Sequence, residues 1–179
     1  MDYPVDTTLD PVAIVEWAID TGIFDLAYSA WGWPIAEIVH FVGLSLLLGT
    51  VGLLDLRMLG FFRGLSLPAL HRLVPFGVLG FVMNAASGTV FVASSPDQYL
   101  YNPAFQIKMA LIALAGVNMA AFYTFAARRL KALGPEDAAP LVVRLFAGTS
   151  LTCWILVIAT GRVITAFRPP AWFWCGWCV

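Results

Sequence analysis

Four ionisable residues, Glu37, His40, Lys108 and Arg162, stand inside stretches that are otherwise apolar. Glu37 and His40 follow Pro34 by three and six residues, Lys108 follows Pro103 by five, and Arg162 lies about five residues before the last apolar run ends. At about 1.5 Å of helix rise per residue, all four fall roughly 5–10 Å inside the same edge of a membrane. Charges at that depth are costly, turn toward a bundle interior and mark functional positions. Neutral imidazole ligates haem iron, a macrocycle fits between apolar helices, and its propionates reach the interface where Lys and Arg neutralise them. On this reading His40 is the axial ligand of a haem b. Lys108 and Arg162 hold the propionates, or Lys108 supplies a second ligand. Glu37, on a neighbouring part of the His40 face, completes the candidate cofactor-binding set. A purely structural salt-bridge network of the same four residues is the competing reading.

The other histidine, His71, opens the second apolar run at the opposite membrane face. It stands about 20 Å or more from His40 by helical rise, so the two cannot share one iron. A bis-His haem then needs a second imidazole from a partner subunit. Asp55 lies eighteen residues after Glu37, five full turns of ideal helix, and is expected on the same face. Asn84, Ser87, Thr89 and Asn118 add polarity toward mid-membrane and suit hydrogen bonds between helices. Cys153, Cys175 and Cys178 are too few for a disulfide framework. The tail Trp172-Phe-Trp-Cys-Gly-Trp-Cys-Val179 carries a Cys-x-x-Cys without the following His of a c-type haem site. A local disulfide or an aromatic anchor is the expectation there. The sequence offers neither a phosphate-cradling Gly loop, a His/Cys metal cluster nor a Ser/His/Asp set, and no catalytic residue is assigned.

The elements that hold these residues follow from composition. Of 179 residues, 60% are hydrophobic and only 12% charged, and the mean hydropathy is +0.83. A chain of this kind uses the bilayer as solvent, and its net charge of −1 gives no reason to expect a nucleic-acid partner. Four runs reach the roughly 20 residues a span needs, about 34–60, 70–94, 104–127 and 141–167, with Pro34, Pro68, Pro103 and Pro140 at or just before their starts. Short connections make sequential helices antiparallel neighbours. The expected fold is all-α, a four-helix transmembrane bundle running up-down-up-down, with an amphipathic N-terminal helix on the membrane surface and an interruption at Gly22. The organisation is an N-terminal interfacial segment over 1–30, a transmembrane domain over 31–168 and an aromatic tail over 169–179.

Basic residues set the orientation. Arg57, Arg63 and Arg72 flank the first connection, and Arg128, Arg129, Lys131 and Arg144 flank the third, while the second carries only Asp97. The basic connections are expected in the cytoplasm and both termini in the periplasm of a bacterial inner membrane. The acidic start, with Asp2, Asp6, Asp10, Glu16, Asp20 and Asp25, lacks the basic n-region of a secretory signal, so no cleavage is expected. Its acidic face also suits docking onto a larger membrane complex, as does the tail.

Several stretches resemble a bacterial family of small four-helix membrane proteins of unknown function: Trp33-Pro-Ile-Ala-Glu-Ile-Val-His40, Gly49 through Asp55-Leu-Arg-Met-Leu-Gly60, Asn102-Pro-Ala-Phe-Gln-Ile-Lys108, and Trp154 with Gly161-Arg-Val-Ile-Thr165. The resemblance covers residues 31–168. More distantly, a first-helix His followed by glycines and a third-helix Lys is similar to haem-containing protoporphyrinogen oxidases and copper-resistance protein D. That analogy implies haem association for His40 and Lys108 and carries no enzymatic activity over. The expected function is a non-catalytic haem-b-binding membrane subunit that passes electrons near the outer face. The alternatives are an accessory subunit of a larger complex and, less supported because no internal repeat offers alternating access, a proton or solute carrier.

Overall fold

The computed structural model describes residues 11–128 and 137–169. Cys175, Cys178 and the tail tryptophans, as well as Arg129 and Lys131, lie outside the described residues. The N-terminal segment forms α1 (Pro11–Asp20) and α2 (Ile23–Tyr28). They are separated at Gly22, whose φ of 76° is open to glycine and strained for other residues. Four helices follow that are long and apolar enough to cross a membrane: Gly32–Leu59, Leu67–Ser94, Pro103–Ala126 and Leu141–Ala166.

The first span is α3 (Gly32–Leu47), a π-helical turn (Leu48–Gly52) and α4 (Leu53–Leu59). Gly60, at φ 107°, ends it in the left-handed conformation. The second is α5 (Leu67–His71), capped by the Ser66 hydroxyl, and α6 (Val74–Ser94). A short α7 (Pro96–Leu100) connects to the third span, α8 (Pro103–Ala121) with a π-helical turn at Phe122–Ala126. Asn102 caps α8, its Oδ1 accepting from the backbone N–H groups of Ala104 and Phe105, with Pro103 just inside. The fourth span is α9 (Leu141–Val163) and a 3₁₀ turn (Ile164–Ala166).

Two antiparallel hairpins build the bundle. In the first, α3 lies on α6 with glycines at the crossing. A Cβ on Gly43 would sit 2.7 Å from the Gly80 carbonyl oxygen, and one on Gly77 would sit 2.6 Å from Thr50 Oγ1. Small residues here let the backbones approach, the packing device of membrane helices. In the second hairpin α8 lies on α9, tied by Asn118 Nδ2 donating to the Phe146 carbonyl (3.1 Å) and Asn102 Nδ2 donating to the Ile164 carbonyl (2.9 Å).

The hairpins join at the basic end. There α4 packs on α9, and Leu54, Met58, Leu67, Leu70, Phe122 and Val143 share one buried cluster. Toward the acidic end neither α3 nor α6 packs broadly on α8 or α9 among the described residues. Across the acidic end lie α1 and α2, packed on α6 and held by Tyr28 Oη donating to the Ser94 carbonyl (3.3 Å). Ala18 and Ala27 face inward while Glu16, Asp20 and Asp25 are exposed.

The π-helical turn corrects one expectation. Five ideal turns would align Asp55 with Glu37. A π turn takes up about one extra residue and rotates everything after it by about 100°. Asp55 therefore faces α9 and is 3% exposed, whereas Glu37 is exposed.

Candidate cofactor site

His40 stands in the acidic-end half of α3, half-buried against α6. Its Nδ1 lies 2.9 Å from Ser87 Oγ. The Ser87 hydroxyl also lies 2.7 Å from the Met83 carbonyl one turn back. When it donates there, its oxygen accepts from His40 Nδ1, and the lone pair of the ring lies on Nε2. An imidazole anchored through one nitrogen and open at the other is the arrangement found in metal-ligating histidines. Phe91, one turn beyond Ser87 on α6, fixes the ring from the side at a centroid distance of 5.6 Å.

Phe91 also meets the Trp33 ring at 4.8 Å, and Trp33 Nε1 donates to Glu37 Oε1 (3.1 Å). Glu37 thus borders the same aromatic wall as His40, with its carboxylate turned to the surface. Tyr99 on α7 stands within electrostatic reach of both Glu37 and Arg168. Burial pushes the Tyr99 phenol above its ordinary pKa; Arg168 opposes that shift, and Glu37 adds to it.

Lys108 reaches this layer from the other hairpin. Its stem lies flat over Gly161 of α9: a Cβ there would be 3.4 Å from Nζ and 3.8 Å from Cε. The glycine leaves the lysine stem room against α9, and its ammonium acts electrostatically on His40. Three of the four expected residues, Glu37, His40 and Lys108, therefore border one layer. Arg162 does not join them. Gly161 is the position that faces Lys108, and one further residue turns about 100° around the helix. Arg162 is accordingly exposed, and its guanidinium has no partner among the described residues. A long basic side chain at a span end reaches the interface in this way.

The remaining polar residues divide between the helices. Asn84 donates to the Gly80 carbonyl (3.0 Å) and Thr89 to the Ala85 carbonyl (2.9 Å), each within α6. His71 is at the basic end, where its Nε2 lies 3.2 Å from Tyr123 Oη. Sixteen residues of the second span part His71 from Ser87, roughly 24 Å at helical rise. The two histidines sit at opposite ends, as their spacing implies. Among the described residues no group of three or more His, Cys, Asp or Glu gathers. A directly chelated ion has no ligand set there, whereas a macrocycle that brings its own four nitrogens needs a single protein ligand.

Ser87 was legible only as a polar group of an interior helix, and Phe91, Tyr99 and Arg168 carried no signal of their own. Phe91 and Ser87 are four apart and so share a face, which is the one pattern that could have linked them.

The profile of a family of unknown function, DUF6644, matches residues 15–167. The chain belongs to this family. The match takes in α2, most of α1 and all four spans, so the N-terminal helices belong to the family's unit along with the bundle. No curated protein and no solved structure matches the chain.

Proposed function

We propose that the chain is a haem-b-binding subunit of the bacterial inner membrane, with both termini in the periplasm and the haem near the periplasmic face. The observation that carries this reading is the His40–Ser87 hydrogen bond, which, with the proton on Nδ1, leaves the Nε2 lone pair for a ligand inside the bilayer. The scarcity of close backbone contact between the hairpins at that depth, among the described residues, supports it, because a flat group needs separated backbones. Lys108 supplies a cation for a propionate, with Arg168 at the span end as a second in place of Arg162. The distant similarity to haem-containing oxidases and copper-resistance protein D points the same way. Bound haem would supply one-electron chemistry. The chain's own residues hold and orient the ligand nitrogen, keep the site apolar and balance the charge.

An accessory role in a larger complex remains the second reading, favoured by the exposed Val12, Trp17, Leu26 and Trp31 around the acidic α1–α2 surface. The absorption spectrum of the purified protein separates the two. A Soret band with a reduced α-band of b-type haem, absent from His40→Ala, is expected. A colourless protein that co-purifies with a large membrane partner would support the accessory role instead.

A further inference from the structure

An open groove of about 630 Å³ runs along the fourth span. Its floor is α9 from Leu141 to Leu156, and its walls are Leu59 at the end of α4 and Leu114 of α8. Fifteen residues part the two ends of the floor, which makes the groove about 22 Å long. Leucines form most of the lining, and Leu114, Leu141 and Leu156 are exposed to the bilayer. Gly148 keeps the floor low: a Cβ there would stand 3.8 Å from Leu59 Cδ2, in ordinary contact.

Arg144 stands at the mouth of the groove, one turn into α9 at the basic end. It is exposed, and its guanidinium has no partner among the described residues. Arg63, Arg72 and Arg128 are exposed at the same end, where Asp137 is the one exposed acid among the described residues. A long apolar trough with a cation at its open end matches one component of the membrane, a lipid with an anionic phosphate and an acyl chain. One leaflet contributes about 15 Å of hydrocarbon, half of the roughly 30 Å core, so the groove is long enough for the whole chain. A second copy of the protein fits it less well. Twofold pairing in a membrane sets like residues at one depth and would bring Arg144 against Arg144. A zwitterionic lipid fills the trough as well but gains less from the cation.

We propose that this groove binds one anionic phospholipid from the leaflet at the basic end, with its phosphate on Arg144 and an acyl chain along α9. The chain touches α4, α8 and α9 together and so braces the junction at which the two hairpins join. A ligand that binds only the folded state stabilises it, and the stability of the bundle then depends on the lipid supplied. The site is independent of haem, since it involves neither His40 nor Lys108.

The test uses the full chain in detergent, titrated with phosphatidylglycerol or with phosphatidylcholine. Native mass spectrometry counts the lipid bound, and melting curves in the two series read the stabilisation. Wild type is expected to retain one phosphatidylglycerol per chain in preference to phosphatidylcholine and to melt at a higher temperature with it. Arg144→Gln should weaken phosphatidylglycerol about fivefold, the effect of one basic residue near the headgroups, and leave phosphatidylcholine unchanged. Gly148→Leu, which raises the floor, should weaken both lipids. Arg162→Gln makes the same change of charge at the opposite end and should behave as wild type. Equal affinity of wild type for the two lipids overturns the proposal, as does an equal loss in Arg144→Gln and Arg162→Gln. A dimer that Gly148→Leu dissociates while lipid binding stays unaltered would assign the groove to a second copy and overturn it too.

Discussion

The haem ligation proposed for His40 needs the proton on Nδ1. A Ser87 hydroxyl that donates to the Met83 carbonyl (2.7 Å) accepts from the ring and holds the proton there. Ser87→Ala should therefore leave the bundle folded but weaken haem retention about 10–100-fold, the usual effect of losing an outer-shell partner. Haem content after detergent washing measures this; undiminished retention would remove Ser87 from the site. Lys108→Met keeps the apolar stem over Gly161 and removes the charge. It should preserve the haem band while lowering the reduction potential, because losing a cation beside the propionates disfavours adding an electron, and an unchanged potential would place Lys108 outside the site. At this scale the sequence was informative for unusual residue types alone. A histidine or lysine in an apolar run is conspicuous, whereas Ser87 and Phe91 are ordinary membrane residues whose roles depend on what the neighbouring helix presents. Arg162 was conspicuous as well, and the rotation of a single residue past Gly161 took it out of the layer.

The elements were read well because the signals that set them are local. Pro103 after the Asn102 cap starts α8, and Gly60 at φ 107° stops α4. Two features were not legible. The π-helical turn at Leu48–Gly52 has no signature in sequence beyond its glycines, and it shifted Asp55 by about 100° relative to Glu37. The glycine crossing of α3 and α6 was visible only as a supply of small residues. Its tightness can be tested. Gly80→Ala places a Cβ 2.5 Å from the Gly43 carbonyl oxygen, a backbone atom that cannot swing aside. It should destabilise the protein by about 1–3 kcal/mol, the typical cost of overpacking. Gly116→Ala, where a Cβ meets nothing within 4 Å, should be neutral or slightly stabilising. Detergent-induced unfolding of the two variants compares them directly, and equal stability would mean that the crossing is looser than described. Asn102 offers a second check. It is fully buried, caps α8 and donates to the Ile164 carbonyl, so Asn102→Ala should cost about 1–3 kcal/mol.

Among the described residues the molecule is two helical hairpins with close backbone packing between them at one end and little at the other, and that asymmetry follows its charge. The closely packed end carries Arg57, Arg63, Arg72 and Arg144, and the other end carries Asp97 and the acidic faces of α1 and α2. In the orientation proposed from the positive-inside rule, the Asp97 end and His40 face the periplasm. In a cysteine-free background, Asp97→Cys should react with a membrane-impermeant thiol reagent in intact spheroplasts, and Arg63→Cys only after lysis. The reverse pattern would invert the orientation. Composition made the bundle legible at this scale, since four long apolar runs with short connections leave few alternatives. The uneven packing between the hairpins was not legible, because it depends on which helix pairs approach closely and not on how apolar each one is.

The most direct measurement is haem per chain in membranes from cells expressing wild type, His40→Ala and His71→Ala. The expected result is bound b-type haem in wild type and His71→Ala and none in His40→Ala. A wild type without haem, or a His40→Ala protein that binds as much as wild type, would contradict the assignment of His40 as the ligand.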